Sequence, residues 1–245
     1  MVTLDDAAAV VTGASSGIGE ATAHELADRG VNLTLVARRE DRLESIAETL
    51  RDSYGTDVLV CAGDVRERST STDAIEATAE RFGGVDVVVA NAGLGRGGDV
   101  ETMTDEEFHA MQDTNVDGVF YLTRAAIPHL KASDGSLVFV GSFAGKFPRP
   151  FNPVYAATKW WVRGFAQSVS AQVGDDGVAV SVINPSEVRT EFGSDDGEPF
   201  EERFEPGTVT EPAEIAEAVA FAAGGDGSTP LEIDCYRRDK LADVL

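Results

Sequence analysis

Short apolar runs alternate with amphipathic stretches along this 245-residue chain, and the alternation restricts its fold more than any other feature. The apolar runs are rich in β-branched residues and are bounded by turn-forming residues, which is typical of strands. They predict seven strands, at residues 7–12, 31–37, 57–62, 85–90, 136–141, 178–183 and 231–235. In the intervening stretches, apolar residues recur at helical spacing. These stretches predict helices at about residues 17–29, 39–53, 68–82, 104–131, 153–173 and 211–223.

The order of these elements dictates the topology of the sheet. Strands joined through a helix run parallel, and the crossover between them is right-handed. A chain of this length buries one sizeable core without needing a second domain. We therefore predict an α/β fold, a doubly wound parallel sheet of about seven strands in a single domain over residues 1–245.

One segment departs from the alternation. Residues 193–207 read GSDDGEPFEERFEPG, a stretch rich in glycine, proline and acidic residues. Connections of this length inside a compact domain are usually functional. We expect a mobile lid or a small helical insertion here, within a substrate-covering region at residues 186–210.

The chain is strongly acidic. Its 43 Asp and Glu residues against 20 Lys and Arg residues give a formal net charge of −23, so nucleic acid is a poor partner. Mutual repulsion destabilises a compact acidic chain in dilute salt, whereas at about 1 M salt the Debye length falls to about 3 Å and screening removes most of the cost. Because the acids are spread along the chain and only four basic residues are lysines, we expect a halophilic protein. The alternative is a merely very soluble acidic protein.

Several other classes of function find no support in the sequence. Cys61 and Cys235 match no metal-ligand spacing, so we expect two buried thiols without a disulfide. His24, His109 and His129 stand singly in helical segments, and we expect them at the surface, with no metal site. No long apolar stretch or signal pattern occurs, so we expect a cytoplasmic protein with no membrane partner.

A glycine-rich loop joins the first predicted strand to the first predicted helix. Residues 12–19 read TGASSGIG. Backbone N–H groups and the positive end of a helix dipole converge at such a place and favour a phosphate. The spacing of Gly13, Gly17 and Gly19 differs from the commonest dinucleotide fingerprint, so the loop alone also fits a structural turn.

The end of the second predicted strand bears on the choice of cofactor. An acid about 20 residues after the glycine loop binds the ribose hydroxyls of NAD. Here the sequence reads VARRE, with Ala37 in place of the acid, followed by Arg38 and Arg39. A guanidinium group can bind a 2′-phosphate through paired hydrogen bonds, so we favour NADP(H), with Arg38 ahead of Arg39. The alternative is that both arginines are solvated charges at the start of a helix.

A tyrosine and a lysine, Tyr155 and Lys159, are four residues apart on a predicted helix that Asn152 can cap and Pro153 can open. This spacing puts both side chains on one face of the helix. The ammonium and the positive helix end both favour the ionised phenol, which suits acid–base catalysis. An ordinary surface pair has the same spacing.

Together, in this order, the motifs resemble the short-chain dehydrogenase/reductase family over residues 10–219. The resemblance implies a catalytic set of Asn115, Ser142, Tyr155 and Lys159. It also implies cofactor contacts at Gly13, Ser15, Ser16, Gly17, Ile18, Gly19, Arg38, Arg39, Asp64, Val65, Asn91, Ala92, Gly93, Tyr155, Lys159, Pro185, Val188 and Thr190.

The implied reaction is hydride transfer between a nicotinamide and a carbonyl or secondary alcohol. Tyr155 gives a proton to the carbonyl oxygen and Ser142 hydrogen-bonds that oxygen. Lys159 favours the ionised tyrosine and holds ribose hydroxyls, and Asn115 positions a water that relays protons. The fold also hosts regulators that bind NADP without turnover, so a non-catalytic regulatory protein is the alternative from another class.

Two stretches differ from the family pattern. Residues 185–190 read PSEVRT, in which Ser186 replaces the usual glycine and is expected to alter the loop slightly. Val188 and Thr190 still match the positions that meet the cofactor carboxamide. Residues 230–245 read PLEIDCYRRDKLADVL and lack the family's usual ending, through which subunits often meet. We expect a homodimer or homotetramer built on the long helices.

The substrate is the least readable feature, because loops at the carboxyl ends of the strands determine it. Leu94, Phe143 and Phe192 are our candidates for the substrate wall, and further phenylalanines fall in the same loops, at Phe147, Phe151, Phe200 and Phe204. They favour an apolar ketone or secondary alcohol. Glu187 could still recognise a polar group, and Arg149 and Arg163 keep a 3-oxoacyl substrate open.

Overall fold

The computed structural model describes residues 4–193, 198–225 and 227–243. Seven strands form one sheet in the order β3-β2-β1-β4-β5-β6-β7, and every neighbouring pair is parallel. The strands are β1 (Ala8–Thr12), β2 (Asn32–Ala37), β3 (Val58–Ala62), β4 (Val87–Ala90), β5 (Ser136–Val140), β6 (Ala179–Pro185) and β7 (Glu232–Cys235). The predicted doubly wound parallel sheet is therefore confirmed.

Helices cover both faces of this sheet. They are α1 (Gly17–Asp28), α2 (Glu40–Tyr54), α3 (Arg68–Phe82), α4 (Asp105–Gln112), α5 (Val119–Ser133), α6 (Pro153–Val173), α7 (Phe200–Arg203) and α8 (Pro212–Ala223). The strand order reverses between β1 and β4, which places a crevice at their carboxyl ends, where doubly wound folds bind ligands.

The core consists of two apolar layers, one on each face of the sheet. Successive residues of a strand point to opposite faces. Val11 accordingly packs with Leu26 of α1, whereas Val10 packs with Leu122 of α5 on the other face. Burial of side chains of this size contributes about 1.5–3 kcal/mol each. The layers hold the strand ends, and the loops that follow them, in fixed positions.

The predicted helix at 104–131 is wrong in one respect. The structure divides it into α4 and α5 with a π-helical turn at Asp113–Gly118 between them. Asn115 lies in this turn, and its side chain bonds the backbone of Leu94 in both directions. Gly118 lies so close to Val65 that an added Cβ would stand 3.1 Å from its carbonyl oxygen. These contacts account for the wider turn.

The segment predicted as a lid contains the short helix α7, and its residues 194–197 lie outside the described residues. Both of its ends are fastened. Val188 and Thr210 form a parallel bridge, and the amides of Phe200 and Glu201 donate to the carbonyls of Phe192 and Thr190. The lid itself remains a prediction.

The two cysteines are free thiols, as predicted, but they are only partly buried, so the prediction of buried thiols is wrong in that respect. Cys61 lies on β3 and Cys235 on β7, the two edge strands, which the core layers cover incompletely. Their partial burial still raises the pKa of both thiols. His109 is exposed, and His24 and His129 are partly buried. Among the helices of the described residues, none has the length and apolar character needed to cross a membrane.

Candidate active site

A cavity of about 480 Å³ opens where the strands end. Most of the predicted site residues line it: Gly13, Ser15, Ser16, Gly17, Ile18, Arg38, Arg39, Asp64, Val65, Asn91, Ala92, Gly93, Leu94, Ser142, Tyr155, Lys159, Pro185, Val188, Thr190 and Phe192. Gly19, Asn115 and Phe143 are predicted site residues that do not line it. Residues from six strand ends, far apart in sequence, thus share one wall.

The glycine loop forms an open cradle at one end of the cavity. Gly13 and Gly17 have φ of +67° and +58°, values that side chains with a Cβ rarely adopt. A Cβ on Gly19 would lie 2.2 Å from the Gly13 carbonyl oxygen, so Gly19 permits the loop to pack on α1 rather than touching a ligand itself. Ser16 precedes α1 and makes no side-chain capping bond. The N–H groups of the first turn therefore remain suited to a phosphate, and the loop fits a dinucleotide.

Asn91 holds this loop against β4. Its amide Nδ2 donates to the carbonyl oxygen of Thr12 at 2.8 Å, and its backbone N–H donates to the Thr12 hydroxyl at 3.1 Å. On the neighbouring wall, Asp64 accepts from the Arg66 guanidinium at 2.6 Å. That hydrogen bond is the main reason that the pKa of Asp64 is lowered, and the charge of Arg38 adds to it.

The two arginines after β2 have different surroundings. Arg38 is exposed, and no carboxylate in the described part of the chain forms an ion pair with it. Arg39 donates to the Ser16 hydroxyl at 2.8 Å and to Glu191 at 2.9 Å. Arg42 donates to the other oxygen of Glu191 at 2.6 Å.

Sequence reasoning missed Glu191 and Arg42, since neither belongs to a motif. Arg39 and Glu191 stand 152 positions apart, and only the fold brings them together. Partial burial raises the pKa of Glu191, but the hydrogen bonds from Arg39 and Arg42 outweigh it and lower the pKa overall. Glu191 is therefore a carboxylate at neutral pH and faces the arginines at the edge of the cavity.

Tyr155 and Lys159 lie on the cavity face of α6, as predicted. Asn152 accepts a hydrogen bond from the Tyr155 amide at 3.0 Å and Pro153 occupies the first turn, which confirms the predicted start of the helix. Both functional side chains are 6% exposed. The Lys159 ammonium donates to the Val140 carbonyl at 2.9 Å and lies 5.9 Å from the Tyr155 ring centroid. Lys159 forms no ion pair with a carboxylate of the described residues, so its ammonium stands between the Val140 carbonyl and the Tyr155 ring.

Ser142 follows β5 and faces the same cavity. Its hydroxyl oxygen accepts a hydrogen bond from the amide of Ala144 at 3.1 Å. No acceptor among the described residues takes up its hydroxyl proton. That proton is available to a ligand oxygen, and the predicted hydrogen bond from Ser142 to the substrate stays a prediction.

Asn115 lies one layer behind the cavity. Its Nδ2 donates to the Leu94 carbonyl at 2.8 Å and to the Thr158 hydroxyl at 3.0 Å, while its Oδ1 accepts from the Leu94 amide at 2.9 Å. These bonds fix the loop after β4 to α6. The observed position makes Asn115 a positioning residue, and its predicted water relay rests on the family resemblance alone.

Aromatic side chains line the end of the cavity that contains Tyr155. The Phe192 ring lies 5.7 Å from the Tyr155 ring and 5.6 Å from Phe200. A Cβ on Gly95 would stand 3.0 Å from the Phe192 ring, so this glycine allows the rings to approach. Leu94 lines the same end, as predicted.

Phe143 is placed differently from the prediction. Its ring stacks on Phe147 with 4.4 Å between centroids and meets the edge of Tyr236 at 5.1 Å. Lys240 lies 4.7 Å from its centroid. Phe143 thus packs against the C-terminal tail, which covers a ring that would otherwise be free.

The same tail holds the loop in which Ser186 replaces glycine. The Ser186 hydroxyl accepts from the Arg237 amide at 3.0 Å, and Lys240 forms an ion pair with Glu187. Glu187 is therefore engaged by the tail rather than directed at a substrate. Arg163 pairs with Glu232 at 2.8 Å, away from the cavity, whereas Arg149 lines it. No three His, Cys, Asp or Glu side chains in the described part of the chain are grouped to hold a metal.

The fold and the cavity define an α/β protein that binds a dinucleotide beside a buried tyrosine–lysine pair. A family model described as short chain dehydrogenase matches residues 7–199. An uncharacterised oxidoreductase of Staphylococcus epidermidis is 35% identical over 223 residues, which cover 91% of this chain and 93% of that relative. The chain therefore belongs to the short-chain dehydrogenase family of oxidoreductases, whose members act on CH–OH and C=O groups.

Solved structures agree with this assignment. Alcohol dehydrogenase from the archaeon Thermococcus sibiricus, complexed with 5-hydroxy-NADP, matches with a TM-score of 0.85 and 35% identity, covering 94% of this chain and 96% of that one. A 3-ketoacyl-(acyl-carrier-protein) reductase from Brucella melitensis, complexed with NADH, matches with a TM-score of 0.83 and 29% identity, covering 94% and 97%. Both neighbours are thus complexed with a nicotinamide cofactor, one with a 2′-phosphate on the adenosine ribose and the other without it.

Proposed function

We propose that this protein is an NADP-dependent oxidoreductase that interconverts a ketone and a secondary alcohol, with Tyr155 as the general acid and base. One observation carries the proposal. The buried Tyr155 and Lys159 share a cavity with an open glycine cradle and with Arg38 and Arg39. The T. sibiricus neighbour, an alcohol dehydrogenase complexed with an NADP derivative, supports the same function.

The residues that would hold the cofactor follow from the cavity wall. The loop at residues 12–19 would receive the diphosphate, and Asp64 with Val65 would border the adenine. Val188 and Thr190 would meet the carboxamide, and Lys159 the ribose hydroxyls. When bound, a nicotinamide supplies or accepts the hydride.

The chain's own groups then manage the oxygen and its proton. Tyr155 donates its phenolic proton to the carbonyl oxygen during reduction and takes it back during oxidation. Ser142 has its hydroxyl proton available, so it donates a hydrogen bond to the same oxygen. The ammonium of Lys159 lies 5.9 Å from the Tyr155 ring centroid and so places a positive charge beside the phenol that exchanges the proton.

The preference for NADP over NAD rests on charge. A protein with a net charge of −23 repels the additional phosphate, so binding it requires a local cation. Arg38 is exposed at the cavity edge and has no carboxylate partner there. The uncharged Ala37 stands where folds that bind NAD carry the acid that binds the ribose hydroxyls.

A panel of ketones tested with NADPH and NADH, followed by loss of absorbance of the reduced cofactor, tests this function. We expect turnover with apolar ketones and a preference for NADPH. Binding of NADPH without turnover of any carbonyl would instead favour the regulatory protein. Arg149 in the cavity and the Brucella neighbour support a 3-oxoacyl reductase as the second candidate, so a 3-oxoacyl thioester belongs in the panel.

We also propose a homodimer or homotetramer built on the long helices. Phe120 on α5 and Trp160 on α6 are 40% and 47% exposed, and contact between subunits through these helices would remove their apolar surface from water. We further propose that the protein is halophilic and cytoplasmic, and that residues 186–210 form a lid over the substrate. Light scattering in molar and in dilute KCl tests the assembly.

A further inference from the structure

Two cations, Arg149 and Lys159, stand in the wall around Tyr155. The described side chains there are otherwise apolar or uncharged, namely Leu94, Phe192, Phe200 and Ser142. Arg149 comes from the connection between β5 and α6, and it lines the cavity together with them. The substrate end of the cavity therefore combines an apolar wall with two positive charges, of which the Lys159 ammonium already donates to the Val140 carbonyl.

The guanidinium group of Arg149 is held but not neutralised. Its central carbon lies 5.1 Å from the Tyr155 ring centroid and 4.6 Å from that of Phe151. Its Nε is buried and has no hydrogen-bond partner, and no carboxylate of the described residues pairs with it. Stacking on rings occupies the flat face of a guanidinium and leaves its N–H edge free.

The lack of a partner is notable in this chain. With 43 acidic residues against 20 basic ones, carboxylates are plentiful, and Arg163 and Arg39 each pair with one, whereas Arg149, like Arg38, pairs with none among the described residues. A guanidinium without a carboxylate partner can bind an anionic ligand without first giving up an ion pair. Arg149 lines the cavity in which the proposed substrate binds.

We infer that Arg149 determines substrate specificity and that the substrate is a carbonyl compound, or the matching alcohol, that also carries a carboxylate. This inference rests on the proposed function and narrows its substrate class. A guanidinium binds a carboxylate through two parallel charge-assisted hydrogen bonds, while the phenylalanines cover the apolar part of the molecule. An anion approaching so acidic a protein needs such a local cation.

The test uses a matched pair of ketones, 4-oxo-4-phenylbutanoate and its methyl ester, which differ in the charge. In the Arg149→Met protein we expect kcat/KM for the acid to fall about 10- to 100-fold, the range of a lost charge-assisted contact, and that for the ester to change by less than about 3-fold. Arg124→Met is the control, since Arg124 also stacks on two rings, Phe120 and Tyr121, but does not line the cavity. Equal losses for acid and ester would show that Arg149 only fills space, and would overturn the inference.

A binding measurement separates this inference from the proposed function. Calorimetry with 4-phenylbutanoate and 4-phenylbutanamide, which have no ketone, needs no turnover. At one fixed KCl concentration with NADPH present, we expect the wild-type protein to prefer the carboxylate and the Arg149→Met protein to lose that preference. If no ketone is reduced, the proposed function fails while this result still decides the role of Arg149. Equal affinity of the wild-type protein for both probes would refute it.

Discussion

The choice between NADPH and NADH is expected to depend on Arg38 more than on Arg39. Arg38 has no carboxylate partner in the described residues, so a 2′-phosphate gains a new charge-assisted contact there, worth about 1.5–3 kcal/mol. Arg39 must first give up Glu191, an ion pair whose side chains are 40% and 33% exposed. Pairs this exposed are worth only about 0–1 kcal/mol, but the retained carboxylate also repels the phosphate. The net contribution of Arg39 is therefore smaller.

From these magnitudes, Arg38→Ala is expected to weaken NADPH binding about 10- to 100-fold, because 1.4 kcal/mol corresponds to a factor of ten. NADH binding is expected to change little, since NADH carries no 2′-phosphate. The assay is the dissociation constant of each cofactor, measured by calorimetry at one salt concentration so that screening is the same throughout. Arg42→Ala is the control, because Arg42 is a nearby arginine that contacts Glu191, as Arg39 does, but does not line the cavity.

Two results would refute this reasoning. Equal weakening of NADPH and NADH by Arg38→Ala would show that Arg38 does not bind the phosphate. A larger selective loss in Arg39→Ala would show that Arg39 binds it despite Glu191. In that case Glu191→Gln should tighten NADPH, because it removes the competing charge.

The remaining predictions concern chemistry, space, salt and acid. Tyr155→Phe should leave the fold and cofactor affinity unchanged but lower turnover by at least about 10²-fold, as steady-state kinetics with both substrates will show. Gly95→Ala should raise KM for aromatic ketones more than for small ones, because its Cβ would meet the Phe192 ring at 3.0 Å. The melting temperature should rise from dilute to molar KCl, and a flat series contradicts the halophilic expectation. Hydrogen bonds from cationic partners lower the pKa values of Glu191 and Glu232. The contribution of these two carboxylates to the stability of the fold is therefore present above about pH 4.3 and is lost as the pH falls through their folded-state pKa values. Melting temperatures measured in 1 M KCl from pH 7 to pH 3 test this.

Most of the fold was predictable because each element carries its own pattern. β1, β2 and β5 are short runs buried on both faces, and each begins and ends within a residue or so of the predicted bounds. Among the predicted helices, one error fell at Asp113–Gly118, where helical periodicity continues across a π turn. The turn depends on the bonds between Asn115 and Leu94, 21 positions away, and periodicity carries no information on such a contact.

The site was predictable where a motif fixed it and unpredictable where orientation decided. The turn before Tyr155 requires a cap, and Asn152 supplies it from three residues away. Phe143, in contrast, is as aromatic as Phe192, but its ring packs against Tyr236 and Lys240 of the tail and does not line the cavity. Sequence composition gives both rings the same expectation, and only packing distinguishes them.

The side chains that line the cavity include more cations than anions, whereas the protein as a whole has a large negative net charge. Arg38, Arg39, Arg149 and Lys159 line it, and its acidic members each face an arginine. A cleft of one sign with low-dielectric walls concentrates ions of the opposite sign, even when the net charge of the protein repels them. The acidic exterior and the basic interior of the cleft therefore serve different ends, one in solubility and the other in selecting anions. Three residues with different contacts are consecutive in the chain. They are Thr190, which lines the cavity at the proposed cofactor position, Glu191, which pairs with Arg39, and Phe192, whose ring packs against Tyr155.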